Sequence, residues 1–106
     1  MATKPLKQPT VLAKRLKEAR EAMGLPQDKL GVLIGLDEGC SSARISRYEA
    51  GIHEPPIKTI ELIAKALKVP MPYLFCEDDQ FALAILILSK LGKRKLIEEV
   101  KRLEEI

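Results

Sequence analysis

An all-α fold, with five short helices followed by a helical extension, is what the sequence predicts. Apolar residues recur at steps of three and four along most of the chain, which is the spacing of one helical face. No stretch shows the apolar–polar alternation of a half-buried strand. At 106 residues and 46% hydrophobic composition, the chain is typical of one domain with one small core.

The first two helices follow from apolar spacing and from the residues at their ends. One face of the first helix carries apolar residues at steps of four, three and four: Leu12, Leu16, Ala19 and Met23. Thr10 is placed as its N-cap, and Gly24 as the glycine that ends it. A second, short helix is predicted over residues 27–34.

Two further helices and a one-turn helix complete the predicted domain. The third helix covers residues 42–50, with Ser41 as its N-cap and with Ile45 and Tyr48 pointing inward. The fourth covers residues 57–67, after two prolines that stop any earlier continuation. A one-turn helix then lays two apolar residues on the core: Leu74 and Phe75.

The last thirty residues predict a helical hairpin with a surplus of apolar surface. Residues 81–91 are apolar on nearly every face, and such a helix must be buried on more than one side. The small domain covers one side only, so the remainder predicts a dimer interface: Phe81, Ile85, Leu86 and Leu88. The alternative is that the amphipathic helix beyond Gly92 folds back and covers this surface within one chain.

Basic residues are concentrated near the N-terminus. Residues 1–20 carry six basic side chains against Glu18 alone: Lys4, Lys7, Lys14, Arg15, Lys17 and Arg20. Residues 77–106 are nearly balanced, while the whole chain has a net charge of +3. This asymmetry indicates an N-terminal end that faces a polyanion, with a solvated lysine-rich surface as the alternative.

No metal, cofactor or small-molecule site and no membrane segment is predicted. The two cysteines, Cys40 and Cys76, lack metal-ligand spacing, and His53 is the only histidine. No apolar run approaches the roughly 18–20 residues that cross a membrane. No signal peptide is evident, so the expected location is cytoplasmic. Without a glycine-rich phosphate loop or a candidate catalytic triad, an enzyme is not expected.

Two short helices joined by a tight connection, the second with a polar N-terminus, predict a helix-turn-helix. A helix fits the major groove of B-DNA, where its first turns and outer face reach base edges, so those positions must be polar or small. The outward positions of the third helix meet this demand: Ser42, Ala43, Arg44, Ser46 and Arg47. Its apolar inner face lets the preceding helices hold it at a fixed angle.

Four motifs, in the order and spacing of one family, carry a resemblance. They are "RLKEAREAMGLPQDKL", "ISRYEAG", "EPPIKTIELIAKAL" and "VPMPYLF", within residues 12–75. The chain resembles the lambda-repressor-like, or XRE/Cro/C1-type, helix-turn-helix family. The resemblance implies a compact five-helix DNA-binding domain at residues 10–76, between a basic arm (1–9) and the C-terminal helical hairpin (77–106).

The resemblance also implies roles for individual residues. Gln27 would bind a phosphate and buttress the base-reading side chains, and Arg20 and Glu49 would form an ion pair between the first and third helices. His53 and Lys58 lie where the family's loop commonly meets the DNA backbone. Four positions of the third helix match base-reading or neighbouring phosphate contacts: Ser42, Ala43, Arg44 and Arg47.

Some of these positions have a second interpretation. Arg44 can bind phosphate rather than a base, and Ser42 can serve only as a polar residue at a helix start. Gln27 can be a surface residue in a first helical turn, and His53 an ordinary loop residue. Ala43 can offer only an apolar contact to a thymine methyl group, whereas Arg47 suits bidentate contact with guanine.

The connection between the second and third helices is longer than in the family. The step from Gly35 to Ile45 is ten residues, where the family has about six. Residues 37–40, "DEGC", are therefore interpreted as a four-residue insertion in the turn. The fold survives it because loop-closure entropy grows slowly with length. Phosphates would repel its acidic residues, so it is expected to bulge away from the DNA backbone or to lie over the groove.

The predicted function is sequence-specific DNA binding by a transcriptional regulator, acting as a repressor and as a homodimer. One recognition helix covers few base pairs, so a two-fold dimer on a palindromic operator is the usual way to gain affinity. The predicted partners are double-stranded DNA and a second copy of the chain. The alternative is an antitoxin-like or protein-interaction module whose C-terminal helices bind another protein.

Overall fold

Seven α-helices build the part of the chain that the computed structural model describes, residues 9–106. In chain order they are α1 (Val11–Ala22), α2 (Gln27–Leu33), α3 (Glu38–Glu49), α4 (Ile57–Leu67), α5 (Met71–Leu74), α6 (Asp79–Ser89) and α7 (Lys93–Glu104). No strand occurs among these residues, and the predicted all-α class is confirmed. None of these helices is long and apolar enough to span a membrane. The predicted basic arm lies outside the described residues, except for Pro9.

Local sequence signals set several helix ends. The Thr10 side chain accepts a hydrogen bond from the N–H of Ala13 at 3.1 Å, which confirms the predicted N-cap of α1. Helix α4 has the predicted bounds. Met23 lies just past the end of α1 and is exposed, so its placement on the inner face of that helix was wrong.

The first five helices share one core. Each contributes one fully buried apolar side chain: Leu16, Leu30, Ile45, Ile63 and Leu74. Removing a side chain of this size from water is worth about 1.5–3 kcal/mol. Phe75 was predicted to join this core but is exposed, because α5 ends at the preceding residue; the buried aromatic ring of α5 belongs to Tyr73. The core holds α3 against α1 and α2.

The connection from α2 to α3 is short, and a glycine ends α2. Gly35 has a φ of +94°, a backbone conformation that favours glycine. Its N–H donates to the carbonyl of Val32 at 3.0 Å, and the N–H of Leu36 donates to the carbonyl of Gly31 at 2.9 Å. This pair of hydrogen bonds is a Schellman motif, which satisfies the last carbonyls of the helix.

Helices α2 and α3 cross in direct contact at Gly31 and Ser41. Ser41 is fully buried, and a Cβ atom on Gly31 would lie 2.3 Å from the Cβ of Ser41. The hydroxyl of Ser41 donates to the carbonyl of Glu38 at 3.4 Å, so its polar atom is satisfied within α3. The crossing therefore depends on a glycine in α2.

The residues interpreted as a loop insertion form the first turn of α3. Asp37 is the N-cap residue and the helix begins at Glu38, so the predicted N-cap at Ser41 and the predicted start at position 42 were wrong. A carboxylate at this end is favourable with the helix dipole. Because about 3.6 residues make one turn, four added residues keep the rest of the helix on nearly the same face. The buried contact of Ser41 with Gly31 holds this extra turn against α2.

A buried arginine joins α1 to the start of α6. The Nε of Arg15 donates to the carbonyl of Cys76 at 2.8 Å, and its Nη2 donates to the carbonyl of Glu77 and to Oδ1 of Asp79, both at 2.9 Å. The hydrogen bond from Arg15 lowers the pKa of the Asp79 carboxyl. With 3% of its surface exposed, Arg15 is no part of a polyanion-facing surface, contrary to the expectation from charge distribution.

Helices α6 and α7 do not form the predicted hairpin within one chain. Helix α6 packs on the domain through Ala82, which is buried, and through Ile85 and Leu86, which are partly buried against the core. The last two were predicted to lie in a dimer interface; each contacts the core of its own chain, which leaves only part of its surface for a partner. Helix α7 starts after the break at Gly92, has no buried residue and does not pack along α6.

Lys68, directly after α4, has a φ of +57°. A side chain in this left-handed conformation costs about 1 kcal/mol or more. We expect Lys68→Gly to raise the free energy of unfolding by about 0.5 kcal/mol, because the extra freedom of glycine in the unfolded chain offsets part of the gain. Urea unfolding measures this change. Lys65→Gly, inside α4, is the matched control and should lower stability by about 1 kcal/mol; equal losses in both variants would contradict the prediction.

Candidate nucleic-acid interface

The outer face of α3 is exposed along the helix. Ile45 and Tyr48 are buried on the opposite face. All five predicted outward residues are exposed: Ser42, Ala43, Arg44, Ser46 and Arg47. Within residues 9–106 neither arginine forms an ion pair, so both guanidinium groups are available to a ligand. An apolar inner face with small, polar and basic outer residues suits a helix in the major groove.

A shallow groove adjoins this face and connects α3 to the loop that follows it. Its lining consists of Arg44, Arg47, Tyr48, His53, Glu54 and Pro56. The chain turns tightly here, because the N–H groups of Ile52 and His53 both donate to the carbonyl of Arg47, at 3.0 and 3.4 Å. The structure thus brings His53 beside Arg47. Lys58 is exposed in the first turn of α4, outside this groove.

A nearly buried ion pair fixes the end of α3. The Nε and Nη2 of Arg20 donate to the two carboxylate oxygens of Glu49 at 2.5 and 3.0 Å, and Nη1 donates to the carbonyl of Leu25 at 2.8 Å. The hydrogen bonds with Glu49 raise the pKa of Arg20. A bidentate pair of this kind is both strong and directional. It links α1 to α3, as the resemblance implied for these two residues.

Gln27 joins this ion pair from the start of α2. Its Nε2 donates to Oε1 of Glu49 at 3.0 Å, and its side chain is half-buried. The amide group is therefore held in place by Glu49 at the N-terminus of α2. This position accords with a buttressing role, and it leaves a phosphate contact as a prediction.

Two acidic residues flank the start of α3. Glu38 borders a groove between α2 and α3 together with Lys29 and Val32, so it faces α2. Asp37 is the exposed N-cap residue. DNA phosphates repel carboxylates, so these two side chains limit how the tip of α3 can approach a DNA backbone.

The first turn of α3 adds outward positions that sequence reasoning missed. Cys40 is exposed and lies three residues before Ala43 and seven before Arg47, a spacing that places side chains on one helical face. Gly39 is exposed beside it. Both were missed because residues 37–40 were interpreted as a loop. The signal in the sequence was the length of the insertion, which is close to one helical turn.

This fold and this outer face define a helix-turn-helix DNA-binding protein. The chain belongs to the helix-turn-helix family, whose model matches residues 16–74, and the predicted resemblance is confirmed. The chain is similar to the transcriptional regulator BswR, for which a crystal structure is known. The two sequences are 40% identical, the two structures superpose with a TM-score of 0.84, and the match covers 89% of this chain and 93% of that chain. A search of curated proteins gives no match. The chain is therefore a DNA-binding regulator.

Proposed function

We propose that this protein is a sequence-specific transcriptional repressor that binds operator DNA as a homodimer through α3. The observation that carries the proposal is the exposed outer face of α3, with two exposed arginines above an inner face that the core and the ion pair of Arg20 with Glu49 hold in place. Occupying an operator that overlaps a promoter is sufficient for repression. A cytoplasmic location accords with this role.

The residues around α3 divide into base-reading and backbone-binding groups. Arg47 is assigned to a guanine, because arginine can donate two parallel hydrogen bonds to the O6 and N7 atoms of that base. Arg44 lies at the side of the face and reaches a base or a phosphate. Ala43 offers an apolar contact to a thymine methyl group. His53 and Lys58 are assigned to the phosphates that border the groove.

A homodimer would present two copies of α3 to successive turns of the major groove, about 34 Å apart. Helix α6 supplies apolar surface for such a dimer. Phe81 is 70% exposed, and Leu83 and Ile87 are each at least half exposed. Leu88 is partly exposed on the same helix. Phe81 and Leu88 stay predicted interface residues, and Leu83 and Ile87 add exposed apolar surface on the same helix.

Selection of bound oligonucleotides from a random duplex pool tests this function. We expect an enriched site with two-fold symmetry, occupied by two chains per duplex in sedimentation. No binding to any duplex at low salt would overturn the DNA-binding function. An asymmetric site occupied by one chain would overturn the dimer alone.

Alkylation of Cys40 provides a second test. N-ethylmaleimide would place a bulky group on the outer face of α3, and we expect the affinity for the selected site to fall by at least about tenfold, or 1.4 kcal/mol. Fluorescence anisotropy with labelled operator measures the affinity. Cys40→Ser should bind DNA and resist the reagent, while Cys76→Ser should remain sensitive. Unchanged affinity after complete alkylation would mean that the first turn of α3 stays away from DNA.

One observation favours a second candidate function. The apolar residues of α7 are not covered within the described chain, and a different protein could cover them. In that case the protein is an antitoxin-like or protein-interaction module. One unrelated protein that copurifies in a fixed ratio, together with a purified chain that stays monomeric, would favour this function over the homodimeric repressor.

A further inference from the structure

We propose that α7 pairs antiparallel with α7 of a second copy, so that Lys93 of each helix contacts Glu104 of the other. The inference rests on the homodimer proposed above. It adds the element that pairs, the direction of pairing and the charge contact that selects this direction. Four features of α7 support it.

The first feature is that its own chain does little to stabilise α7. The helix has twelve residues, none of them buried, and it begins after Gly92 without a side-chain cap. Helices of this length are marginal in water when no tertiary contact covers them. Stable helical structure at this position therefore calls for a partner that covers its apolar face.

The second feature is a continuous apolar stripe on α7. Its members are spaced by one, three and three residues: Leu96, Ile97, Val100 and Leu103. Ile97, Val100 and Leu103 are each nearly half exposed. Apolar residues at this spacing form one face of a helix. Such a stripe fits the equivalent stripe of a second helix.

The third feature is the charge at the two ends of α7. The first turn holds three basic residues and no acidic one, Lys93, Arg94 and Lys95, and a basic first turn is unfavourable with the helix dipole. The helix ends at Glu104, followed by Glu105, although its last turn also contains Lys101 and Arg102, which suit the dipole there. An antiparallel copy places the two terminal glutamates of one helix beside the basic first turn of the other and offsets the conflict in that turn. A parallel copy would bring the two basic first turns together.

The fourth feature is the alignment of Lys93 and Glu104 with the apolar stripe. Steps of four, three and four lead from Lys93 through Ile97 and Val100 to Glu104, so all four share one helical face. When Lys93 lies opposite Glu104 of an antiparallel copy, Ile97 lies opposite Val100. Two-fold symmetry makes each of these contacts occur twice.

One ion pair forms within α7, between Glu99 and Arg102. Glu99 accepts hydrogen bonds from Arg102, which lowers the pKa of the Glu99 carboxyl. Neither Lys93 nor Glu104 forms an ion pair within residues 9–106. Helix α7 alone is too small to form a whole interface. It is only about 18 Å long, whereas each side of a specific interface buries about 800 Å². We therefore expect the exposed apolar residues of α6 to contribute the remaining contact area.

Charge exchange tests the pairing and its direction in the full-length chain. We expect Lys93→Glu and Glu104→Lys each to raise the dimer dissociation constant about tenfold at low salt, because two attractions become two repulsions. The double variant should restore the dissociation constant of the unaltered protein. Lys95→Glu makes the same charge change in the same turn, on the side away from the stripe, and should have much less effect. Sedimentation velocity over a concentration series gives the dissociation constants, and circular dichroism checks that each variant folds.

Three outcomes would overturn the pairing. They are a monomer at 100-fold the concentration used for DNA binding, single variants that dimerise as well as the unaltered chain, and a double variant that stays as weak as the single ones. Binding of each variant to operator DNA is measured in parallel. A monomer that still selects a DNA site would overturn the α7 pairing and leave α3 as the DNA-binding element. If the single variants dimerise weakly and the double variant dimerises as the unaltered chain does, but no DNA is bound, the repressor function is overturned and the pairing stands.

Discussion

Replacing Arg47 by alanine will lower the affinity for the selected operator by about 10- to 100-fold per half-site, because one good bidentate contact with guanine is worth about 1–3 kcal/mol. It will also relax the preference for a base pair at one position of each half-site. The free energy of unfolding should change little, since Arg47 is exposed and forms no ion pair within the described residues. Anisotropy titrations on the operator, on its single-base variants and on random duplex measure all of these effects.

Lys58→Ala is the comparison for this experiment, because Lys58 is also basic and exposed but lies outside the groove beside α3. We expect it to weaken binding to all sequences by a similar factor. The slope of log affinity against log salt should become shallower by about one unit for each lost phosphate contact. If Arg47→Ala shows this uniform behaviour instead, Arg47 binds phosphate and the base-reading residue lies elsewhere on α3.

Gly31→Ala is expected to lower the free energy of unfolding by about 2–3 kcal/mol, because one methyl group is forced into a packed crossing. The added Cβ would lie 2.3 Å from the Cβ of Ser41 and 2.8 Å from its Cα, so α2 and α3 must separate. We also expect weaker DNA binding, since α3 would shift on the domain. Urea unfolding and anisotropy provide the two measurements.

Gly39→Ala is the matched control, because it makes the same change in the first turn of α3. A Cβ built on Gly39 meets no atom within 4 Å other than its chain neighbours and the backbone of its own helix. Alanine is the better helix former, so this variant should gain about 0.5–1 kcal/mol of stability. The opposite signs of the two changes distinguish a steric effect from a general response to alanine. A stabilised Gly31→Ala variant would show that the two helices separate without loss.

Much of the fold was predictable because it depends on local periodicity. The inner faces of α3 and α4 follow steps of three and four, and the structure buries Ile45, Tyr48, Ile60 and Leu67 as that spacing indicates. Ile57, at the start of α4, has the same spacing but is exposed. The hydroxyl of Thr10 accepts a hydrogen bond from the N–H of Ala13, three residues later, so this N-cap could be assigned without tertiary information. These features involve residues that are close in sequence.

Two of the errors, at Arg15 and Ser41, concern contacts between different helices, whereas Met23 and Phe75 were misplaced because of where α1 and α5 end. Arg15 looked like one more basic surface residue, because its partners beyond α5 are more than sixty positions away. Ser41 is a good N-cap residue by composition, but α3 begins at Glu38 and Ser41 is buried against Gly31. The start of α3 was therefore misplaced.

The candidate site was predictable in part, again because local helical periodicity determines which side chains are exposed. Exposure of Arg44 and Arg47 follows from the position of Ile45 within α3, because the helical period fixes which neighbours point outward. The place of Cys40 on the same face depends on where α3 begins. The position of the Gln27 amide depends on Glu49, twenty-two residues away. Sequence periodicity contains neither of these facts.

The extra turn of α3 changes the length of the helix while leaving the direction of its outer side chains nearly unchanged. Four residues lengthen a helix by about 6 Å but rotate it by only about 40° beyond a full turn. Two residues would rotate it by about 160° away from the original direction, and Arg47 would then face the core. Changes in the length of this helix should therefore be tolerated in increments of one turn. Removing residues 37–40 should shorten the tip while Arg47 keeps its outward direction.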